Sequence, residues 1–241
     1  MRTTSAGTVS SRSAVSTASP RPCLTLTCAP WSTPSRCNVE AFILARGGFA
    51  WFSIDYRLTP QVRHSEQMDD LRRAVAFVRG SARRFNVDPD RVAVVGESAS
   101  GQMAALLGTE DRRLGAVVSF YGVYDFAPLL TDTSPGSRLE RMFGLSTLDD
   151  EGRGLVRRYS PIHHVAKDMP PLLLIHGTSE ELWAQAVAMR ERLREVGARH
   201  ELVALEGAPH GMENWEGHPE WSHYKTKLIE WLSQQLDGGR R

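Results

Sequence analysis

Cysteine is scarce in this sequence of 241 residues and is confined to its N-terminal part. The three cysteines are Cys23, Cys28 and Cys37, an odd number without the paired spacing of metal ligands. Such a pattern argues against a disulfide scaffold and against a zinc site. We therefore interpret the three thiols as incidental, and we predict a reducing, cytoplasmic location and no metal ion.

Long apolar runs and an excess of one charge are also missing. No apolar stretch approaches the ~20 residues that a membrane-spanning helix needs. The chain has 29 lysines and arginines against 28 aspartates and glutamates. Because such a balance offers little attraction for nucleic acid or an anionic membrane, we expect neither as a partner. The length allows one domain with a sizeable core, or two small ones.

Acidic residues are absent before Glu40, and residues 1–37 are instead rich in serine, threonine, proline and arginine. This segment lacks the continuous apolar core of a secretory signal peptide. Its composition is compatible with an organellar transit peptide, but it favours a disordered segment or a start read in the wrong place or frame. We predict that residues 1–37 are disordered or poorly packed and that residues 38–241 form the domain.

A regular alternation of helical and extended patterns begins after residue 38. The predicted helices are VEAFILARGG, a long helix that Ser65 opens as N-cap, SGQMAALLG, ELWAQAVAMRERLREVG and YKTKLIEWLSQQL. The predicted strands are FAWFSIDY, RVAVV, GAVVSFYGV, PPLLLIHGT and HELVALEG. Strands that alternate with helices predict an α/β fold, with a mainly parallel sheet and helices on both faces.

One serine, Ser98, lies at the abrupt turn between the RVAVV strand and the helix that follows it. The turn reads GESASG, which approximates the G-x-S-x-G nucleophile elbow of serine hydrolases. Such a turn presents the hydroxyl at the carboxyl end of the sheet, beside backbone N–H groups that stabilise negative charge. The match is imperfect, because Ser100 occupies the last glycine position and Gly101 follows one place later. A tight turn with a capping serine is the structural alternative.

A serine nucleophile needs a general base, and the base needs an acid that orients it. The chain supplies both in the order serine, acid, histidine: Glu180 and Glu181 follow one strand, and His210 follows the next in a loop rich in glycine and proline. We predict a Ser98–His210–Glu180 triad, with Glu181 as the alternative acid. His176 ends a strand, and we interpret it as a packing or hydrogen-bonding residue.

The chain resembles α/β-hydrolases of the esterase and lipase group, near the feruloyl-esterase-like and acetyl-esterase-like branches. The similar stretches cover about residues 38–235: FSIDYRLTP, DDLRRAVAFVR, DPDRVAVVGESASGQMAALLGT, YSPIHHV, PPLLLIHGTSEEL and LEGAPHGMENWEGHPEW. The resemblance implies a two-step hydrolysis of small acyl esters without a cofactor, with acetylated carbohydrates as one candidate class. It places the acid at Glu180, with Asp125 as a weaker rival, and one oxyanion donor at the backbone N–H of Ala99.

Two further expectations concern the surroundings of the predicted site. Residues 125–160 have a mixed pattern with several turn formers, and we expect them to form a short lid or cap. Trp215 and Trp221 lie near His210 in the sequence, where they could stack on a sugar or an aromatic group. Packing against the last helix is the alternative for both tryptophans.

The resemblance fails before residue 38, where such hydrolases carry an HGGGW loop that supplies a second oxyanion donor. Here Thr27–Pro30 replaces the glycines before Trp31, and Pro30 has no N–H to donate. We expect reduced or missing N-terminal strands and interpret residues 1–30 as a truncated, fused or out-of-frame start. The alternatives to an active esterase are therefore an impaired hydrolase or binding protein and, less favoured, a prolyl-oligopeptidase-type serine peptidase.

Overall fold

The structure is a computed structural model that describes residues 9–10, 21–26 and 39–237. Within this part of the chain, seven strands form one sheet in the order β1-β3-β2-β4-β5-β6-β7. The strands are β1 (Val9–Ser10), β2 (Arg21–Leu26), β3 (Phe49–Ile54), β4 (Ala93–Glu97), β5 (Ala116–Phe120), β6 (Leu172–Gly177) and β7 (His200–Leu205). All neighbours pair in parallel except β1, which is antiparallel to β3.

The centre of the sheet contains a strand from the segment that we expected to be disordered or poorly packed. Strand β2 pairs with β3 on one side and with β4 on the other. An unfilled position between β3 and β4 would leave N–H and C=O groups of both strands without partners. Arg21–Leu26 fills that position, and among the described strands the edge strand β1 is short, with two residues.

Helices cover both faces of the sheet, as the alternating pattern predicted. The described helices are α1 (Val39–Arg46), α2 (His64–Gly80), α3 (Ala82–Phe85), α4 (Ser98–Glu110), α5 (Arg138–Phe143), α6 (Asp150–Arg158), α7 (Trp183–Val196) and α8 (His223–Asp237). One apolar cluster joins α2, α4 and α7 to one face of the sheet, and a second joins α1 and α8 to the other. Successive residues of β6 alternate between the two clusters, because neighbouring side chains of a strand point to opposite faces. The chain therefore has an α/β-hydrolase fold.

The start of the second helix differs from the prediction. Helix α2 begins at His64 and its N-cap is Arg63, so Ser65 lies inside the helix and does not cap it. The backbone N–H of Arg63 donates to the Glu66 carboxylate at 3.0 Å. A carboxylate at the third helical position thus satisfies the N–H of the N-cap residue. The predicted long helix also divides near Ser81, where α3 begins.

Residues 125–160 form a small helical layer at the carboxyl ends of the strands. A short 3₁₀ helix (Ala127–Leu129) precedes α5 and α6. This layer has its own apolar cluster, formed by Phe126, Leu130, Leu139, Phe143 and Val156. No helix in the described part of the chain is long and apolar enough to cross a membrane.

Candidate active site

Strand β4 passes into helix α4 at Ser98 through a turn without any intervening loop residue. Ser98 has φ +52°, a left-handed conformation that few residues other than glycine adopt and that often marks a functional site. A Cβ atom at Gly96 would lie 2.2 Å from the carbonyl oxygen of Ser100. Because only glycine fits there, the strand and the helix can approach closely and hold Ser98 at the corner.

The serine that replaces the last glycine of the elbow pattern causes no left-handed strain. Ser100 is buried within α4, and its hydroxyl donates to the carbonyl of Glu97 at 3.0 Å. The close approach to the sheet occurs at Gly101, where a Cβ atom would lie 2.6 Å from the carbonyl oxygen of Phe120. The glycine that packs α4 on β5 is therefore the one found one position later than in the G-x-S-x-G pattern.

The loops that follow β6 and β7 lie side by side near the elbow. A Cβ atom at Gly177 would lie 2.1 Å from the carbonyl oxygen of Ala208. The N–H of Ser179 donates to the same carbonyl at 3.1 Å. This close contact brings Glu180, on the first loop, next to His210, on the second.

The three residues that the sequence proposed as a triad lie in a continuous line of hydrogen-bonding groups: Ser98, His210 and Glu180. Nε2 of His210 lies 3.1 Å from Oγ of Ser98, and Nδ1 of His210 lies 2.5 Å from Oε2 of Glu180. The side chain of Glu180 is 0% exposed, whereas that of His210 is 43% exposed. A buried carboxylate thus orients a histidine whose other face is open to solvent.

The second oxygen of Glu180 contacts a second histidine. Nδ1 of His176 lies 2.8 Å from Oε1 of Glu180, and Nε2 of His176 lies 2.9 Å from the hydroxyl of Tyr124. Burial lowers the pKa of His176 and raises the pKa of Tyr124, which favours a neutral ring and a neutral phenol. In that state His176 donates its Nδ1–H to Glu180 and accepts a hydrogen bond from Tyr124.

The surroundings of Glu180 favour the ionised form of its side chain. Burial alone would raise its pKa, but the hydrogen bonds and charges of His176 and His210 lower the pKa below its ordinary value. Opposing contributions of this kind are expected when a buried acid accepts several hydrogen bonds. Glu180 can therefore remain ionised while it holds the orientation of His210.

Trp215 is not placed where a substrate could stack on it. Its side chain is 1% exposed and packs against Phe120, Tyr121 and Tyr224. Its Nε1–H donates to the carbonyl of Pro209 at 2.7 Å, so the indole anchors the loop that carries His210. The prediction that Trp215 contacts the substrate is therefore wrong, because its ring is enclosed by other side chains. The sequence did not reveal this enclosure.

Trp221 is half-buried and has a separate anchoring contact. Its Nε1–H donates to the carbonyl of Glu206 at 2.8 Å, and its ring stacks near that of His218. Neither Trp221 nor Trp215 is among the residues that line the cavity at Ser98. Both tryptophans donate hydrogen bonds to the backbone of the loop that carries His210.

A cavity of about 610 Å³ opens at Ser98. Its walls include Ser98, Ala99, Glu180, Glu181 and His210, together with the apolar side chains of Met103, Val123, Phe126, Leu129, Leu130, Met142 and Leu182. This volume is typical of small-molecule sites, which combine apolar walls with a few polar groups. The layer of residues 125–160 supplies much of the apolar wall.

The remaining candidates from the sequence occupy distinct places. Ala99 follows Ser98 at the first turn of α4 and lines the cavity. Glu181 also lines the cavity, but the acid that contacts His210 is Glu180. Asp125 accepts a hydrogen bond from the N–H of Ala127 and so stabilises its own loop.

The segment that should supply a second oxyanion donor, Thr27–Trp31, lies outside the described residues. Metal-binding potential can be judged only for the part that is described. There, no group of three or more histidine, cysteine, aspartate or glutamate side chains is arranged to hold a metal ion.

Comparison with known proteins identifies a family for most of this fold. The model of the BD-FAE family matches residues 35–193. Esterase LipC of Mycobacterium tuberculosis is 34% identical over 198 residues, which cover 72% of this chain and 48% of LipC. Probable carboxylic ester hydrolase LipM of the same organism is 32% identical over 67% of this chain and 41% of its own. The chain thus spans about half the length of these curated relatives.

Solved structures with the same fold are more distant in sequence. A truncated carbohydrate esterase from gut microbiota superposes with a TM-score of 0.79 at 20% identity, covering 95% of this chain and 90% of its own. An acetyl ester-xyloside bifunctional hydrolase from Caldicellulosiruptor lactoaceticus gives a TM-score of 0.75 at 22% identity, covering 91% and 85%. At these identities the likeness establishes the α/β-hydrolase fold.

Proposed function

Since the chain belongs to the BD-FAE family, we propose that it is a serine carboxylic-ester hydrolase that acts on small acyl esters. The observation that carries this proposal is the alignment of Ser98, His210 and Glu180 at the opening of the cavity. A serine hydroxyl is a weak nucleophile unless a base removes its proton, and His210 lies within hydrogen-bonding distance to do so.

In the first half of the proposed reaction, Oγ of Ser98 attacks the ester carbonyl while its proton passes to Nε2 of His210. Glu180 accepts the Nδ1–H of His210 and stabilises the imidazolium that forms. The tetrahedral intermediate then collapses, its bond to the alcohol oxygen breaks, and His210 returns the proton to the departing alcohol. The product of this half is an acyl group esterified to Ser98.

In the second half, His210 removes a proton from water as the water attacks the acyl carbonyl. The bond to Oγ of Ser98 breaks, the carboxylic acid leaves, and the proton returns to Ser98. The backbone N–H of Ala99 would donate to the oxyanion of each tetrahedral intermediate, because it lies at the unpaired N-terminal end of α4. Removal of one such donor typically lowers the rate about 10²- to 10³-fold. The rate of the proposed reaction therefore depends on whether the atypical segment before residue 38 supplies a second donor.

The substrate class follows from the shape and polarity of the cavity. Apolar side chains of the 125–160 layer, among them Phe126, Leu130 and Met142, face the volume next to Ser98. They suit a short acyl chain or an aryl group. LipC and LipM carry esterase names, which agrees with ester hydrolysis. Acetylated carbohydrates remain one candidate class within this proposal.

The first experiment is the hydrolysis of p-nitrophenyl acetate by the purified protein and by Ser98→Ala. The matched control is Ser179→Ala, because Ser179 is an exposed serine that lines the same cavity. We expect Ser98→Ala to lose at least about 10³-fold in kcat/KM and Ser179→Ala to remain within a few-fold of the parent. Equal background rates in the parent and in Ser98→Ala would contradict the proposal and favour an impaired hydrolase or a binding protein.

Covalent labelling separates chemistry from binding. A fluorophosphonate probe should phosphonylate Oγ of Ser98 with loss of fluoride, and peptide mapping should place the added mass on that residue. Failure to label a folded protein would contradict the serine mechanism. Hydrolysis of a peptide amide, with no activity on esters, would instead indicate a serine peptidase.

A further inference from the structure

One buried tyrosine lies outside the cavity but contacts both sides of the proposed triad. Tyr121 follows strand β5 directly and is 1% exposed. It is not among the residues that line the cavity at Ser98. Its hydroxyl lies between the end of strand β4, beside Ser98, and the loop that carries His210. Any effect of Tyr121 on catalysis must therefore reach the substrate through these two neighbours.

The hydroxyl of Tyr121 makes one hydrogen bond to each side. It donates to Oε2 of Glu97 at 2.5 Å, and Glu97 immediately precedes Ser98. It accepts a hydrogen bond from the backbone N–H of Met212 at 2.9 Å, two residues after His210. A phenolic hydroxyl can donate and accept at the same time. Glu97, the hydroxyl of Tyr121 and Met212 thus form a tyrosine bridge between the elbow and the histidine loop.

The ring of Tyr121 contacts His210 itself. The centroids of the two rings lie 4.5 Å apart, and their planes are inclined at 60°. The Tyr121 ring also packs edge-on against the indole of Trp215, with centroids 5.3 Å apart. The same indole anchors the histidine loop through the carbonyl of Pro209. The buried phenol therefore limits the movement of the His210 imidazole on the side that faces the protein interior.

The backbone of Tyr121 is fixed by the sheet rather than by the two segments that its hydroxyl joins. Its N–H donates to the carbonyl of Ile175 in strand β6 at 2.9 Å. Its φ is +36°, in the left-handed region that a bulky residue rarely adopts. Such a conformation persists only where the surrounding structure determines it, and it is found most often at functional sites. The sheet thus gives the hydroxyl a fixed position.

The surroundings of Glu97 make the hydrogen bond from Tyr121 important for this carboxyl. Glu97 is half-buried at the end of strand β4. Burial raises its pKa, the hydrogen bond from Tyr121 opposes that rise, and the charge of Glu213 adds to it. A hydrogen bond to a carboxylate is stronger than one between neutral groups, and it strengthens further where water is excluded. The bond between Tyr121 and Glu97 is therefore the stronger link of the tyrosine bridge.

We propose that Tyr121 is a positioning residue, whose hydroxyl fixes the loop of His210 relative to the elbow at Ser98. This inference rests on the proposed function, because its consequence is the 3.1 Å separation between Oγ of Ser98 and Nε2 of His210, over which the proton passes. A displacement of about 1 Å in such a geometry can cost about 10²-fold in rate. The tyrosine bridge maintains the separation while the proton moves in either direction.

Tyr121→Phe removes the bridging oxygen and keeps the ring that packs against His210. We expect kcat on p-nitrophenyl acetate to fall about 10- to 100-fold, with little change in KM because Tyr121 does not line the cavity. The control is Tyr224→Phe, in the same apolar cluster, whose hydroxyl lies 3.3 Å from Glu216. It should retain kcat within a few-fold of the parent. An unchanged kcat in Tyr121→Phe, or a loss that lies in KM alone, would overturn the proposal.

Two substitutions at Glu97 separate the hydrogen bond from the charge. Glu97→Gln keeps an acceptor oxygen for the Tyr121 hydroxyl and should retain most of kcat. Glu97→Leu removes the acceptor and should lose about as much as Tyr121→Phe. Because breaking either link opens the same bridge, the double variant with Tyr121→Phe should lose no more than the larger single loss. Losses that multiply, or equal losses in the glutamine and leucine variants, would overturn the tyrosine bridge.

Amide hydrogen exchange, followed by NMR, tests the tyrosine bridge without turnover. In Tyr121→Phe the backbone N–H of Met212 loses its acceptor and should exchange about tenfold faster. The N–H of Thr178, which donates to the carbonyl of Leu205 at 3.0 Å, should keep its rate in the same spectra. Unchanged exchange at Met212 would overturn the bridge. If the parent protein hydrolyses no ester, the proposed esterase function fails, and exchange at Met212 alone decides the bridge.

Discussion

Glu180 and His176 are joined by a 2.8 Å hydrogen bond that is completely buried, with both side chains 0% exposed. The carboxylate of Glu180 is therefore shared between this inner histidine and His210. A carboxylate held by one partner can rotate about its terminal torsion, whereas two partners fix both oxygens. We therefore predict that His176 is a positioning residue, which acts on Ser98 only through Glu180 and His210.

Loss of the His176 donor should reduce turnover more than substrate affinity. In His176→Leu one buried oxygen of Glu180 loses its partner, at a cost of about 1–3 kcal/mol. We expect kcat to fall by about 10- to 100-fold with little change in KM. The pKa of Glu180 should also rise, since His176 lowers it, so protonation of Glu180 should add to the loss of activity at the acid end of the pH profile.

The conservative variant His176→Asn tests whether the donor itself is responsible. Its side-chain amide can donate from the position of Nδ1, and we expect it to recover much of kcat and of the activity at the acid end of the pH profile. Steady-state kinetics between pH 4 and 8 measure both effects. Equal losses in the leucine and asparagine variants would point to a packing role for His176.

The two adjacent glutamates offer a matched pair for the identity of the acid. Glu180→Gln keeps the shape of the side chain but removes the charge that supports His210, and we expect kcat to fall by about 10³- to 10⁴-fold. Glu181→Gln changes an exposed residue at the cavity edge and should leave kcat within a few-fold of the parent. The reverse order of losses on p-nitrophenyl acetate would transfer the role to Glu181.

Gly101 and Gly154 both lie in helices, but an added Cβ atom would be crowded only at Gly101. A comparison of the two alanine variants therefore separates the effect of close packing from that of helix propensity. Gly101→Ala would place a Cβ atom 2.6 Å from the carbonyl oxygen of Phe120 and 3.0 Å from Oγ of Ser119. Overpacking of this kind costs about 1–3 kcal/mol, and it should also displace the elbow. Gly154→Ala, in α6, meets no atom within 4 Å and should stabilise the protein by about 0.5–1 kcal/mol.

Urea denaturation of the two glycine variants measures the difference in their free energies of unfolding. Activity per folded molecule shows whether the elbow has moved in Gly101→Ala. Similar stabilities for the two variants would mean that α4 can shift away from β5 at little cost.

Local sequence patterns were sufficient to predict the residues that meet at the elbow and at the two following loops. Each of Ser98, Glu180 and His210 follows directly on a strand with a clear apolar pattern, and the carboxyl ends of parallel strands lie at one edge of the sheet. Their proximity therefore follows from the topology. Trp215 could not be placed in the same way, because enclosure by Phe120 and Tyr224 depends on how α8 packs across the sheet.

The polar wall of the cavity, formed by the buried residues His64, Gln67 and Gln102, was beyond prediction from local patterns. His64 and Gln67 are three positions apart at the start of α2, which does predict a shared helix face. Gln102 joins them only because α4 packs against α2, a contact between segments distant in the sequence. For the central strand β2 the sequence offered CLTLTC as a candidate but left its formation open, because the surrounding composition favours disorder; the strand is Arg21–Leu26.

His64, the buried neutral histidine of this wall, should make the stability of the protein depend on pH. The pKa of His64 is about 4 in the folded protein, chiefly because of burial, against 6.5 for an ordinary histidine. Between these values the unfolded chain binds a proton that the folded protein does not bind. Acidification from pH 7 to pH 4 therefore favours the unfolded state, by up to about 3 kcal/mol from this group.

His64→Phe should abolish this part of the pH dependence, whatever its effect on stability at pH 7. We expect the free energy of unfolding of the variant, relative to the parent, to rise by up to about 3 kcal/mol between pH 7 and pH 4. Leu130→Ala is the control, because it removes a buried, uncharged side chain of the apolar cluster in the 125–160 layer. This variant should destabilise the protein equally at both pH values. A constant difference between His64→Phe and the parent would mean that His64 takes up its proton in the folded protein as readily as in the unfolded chain.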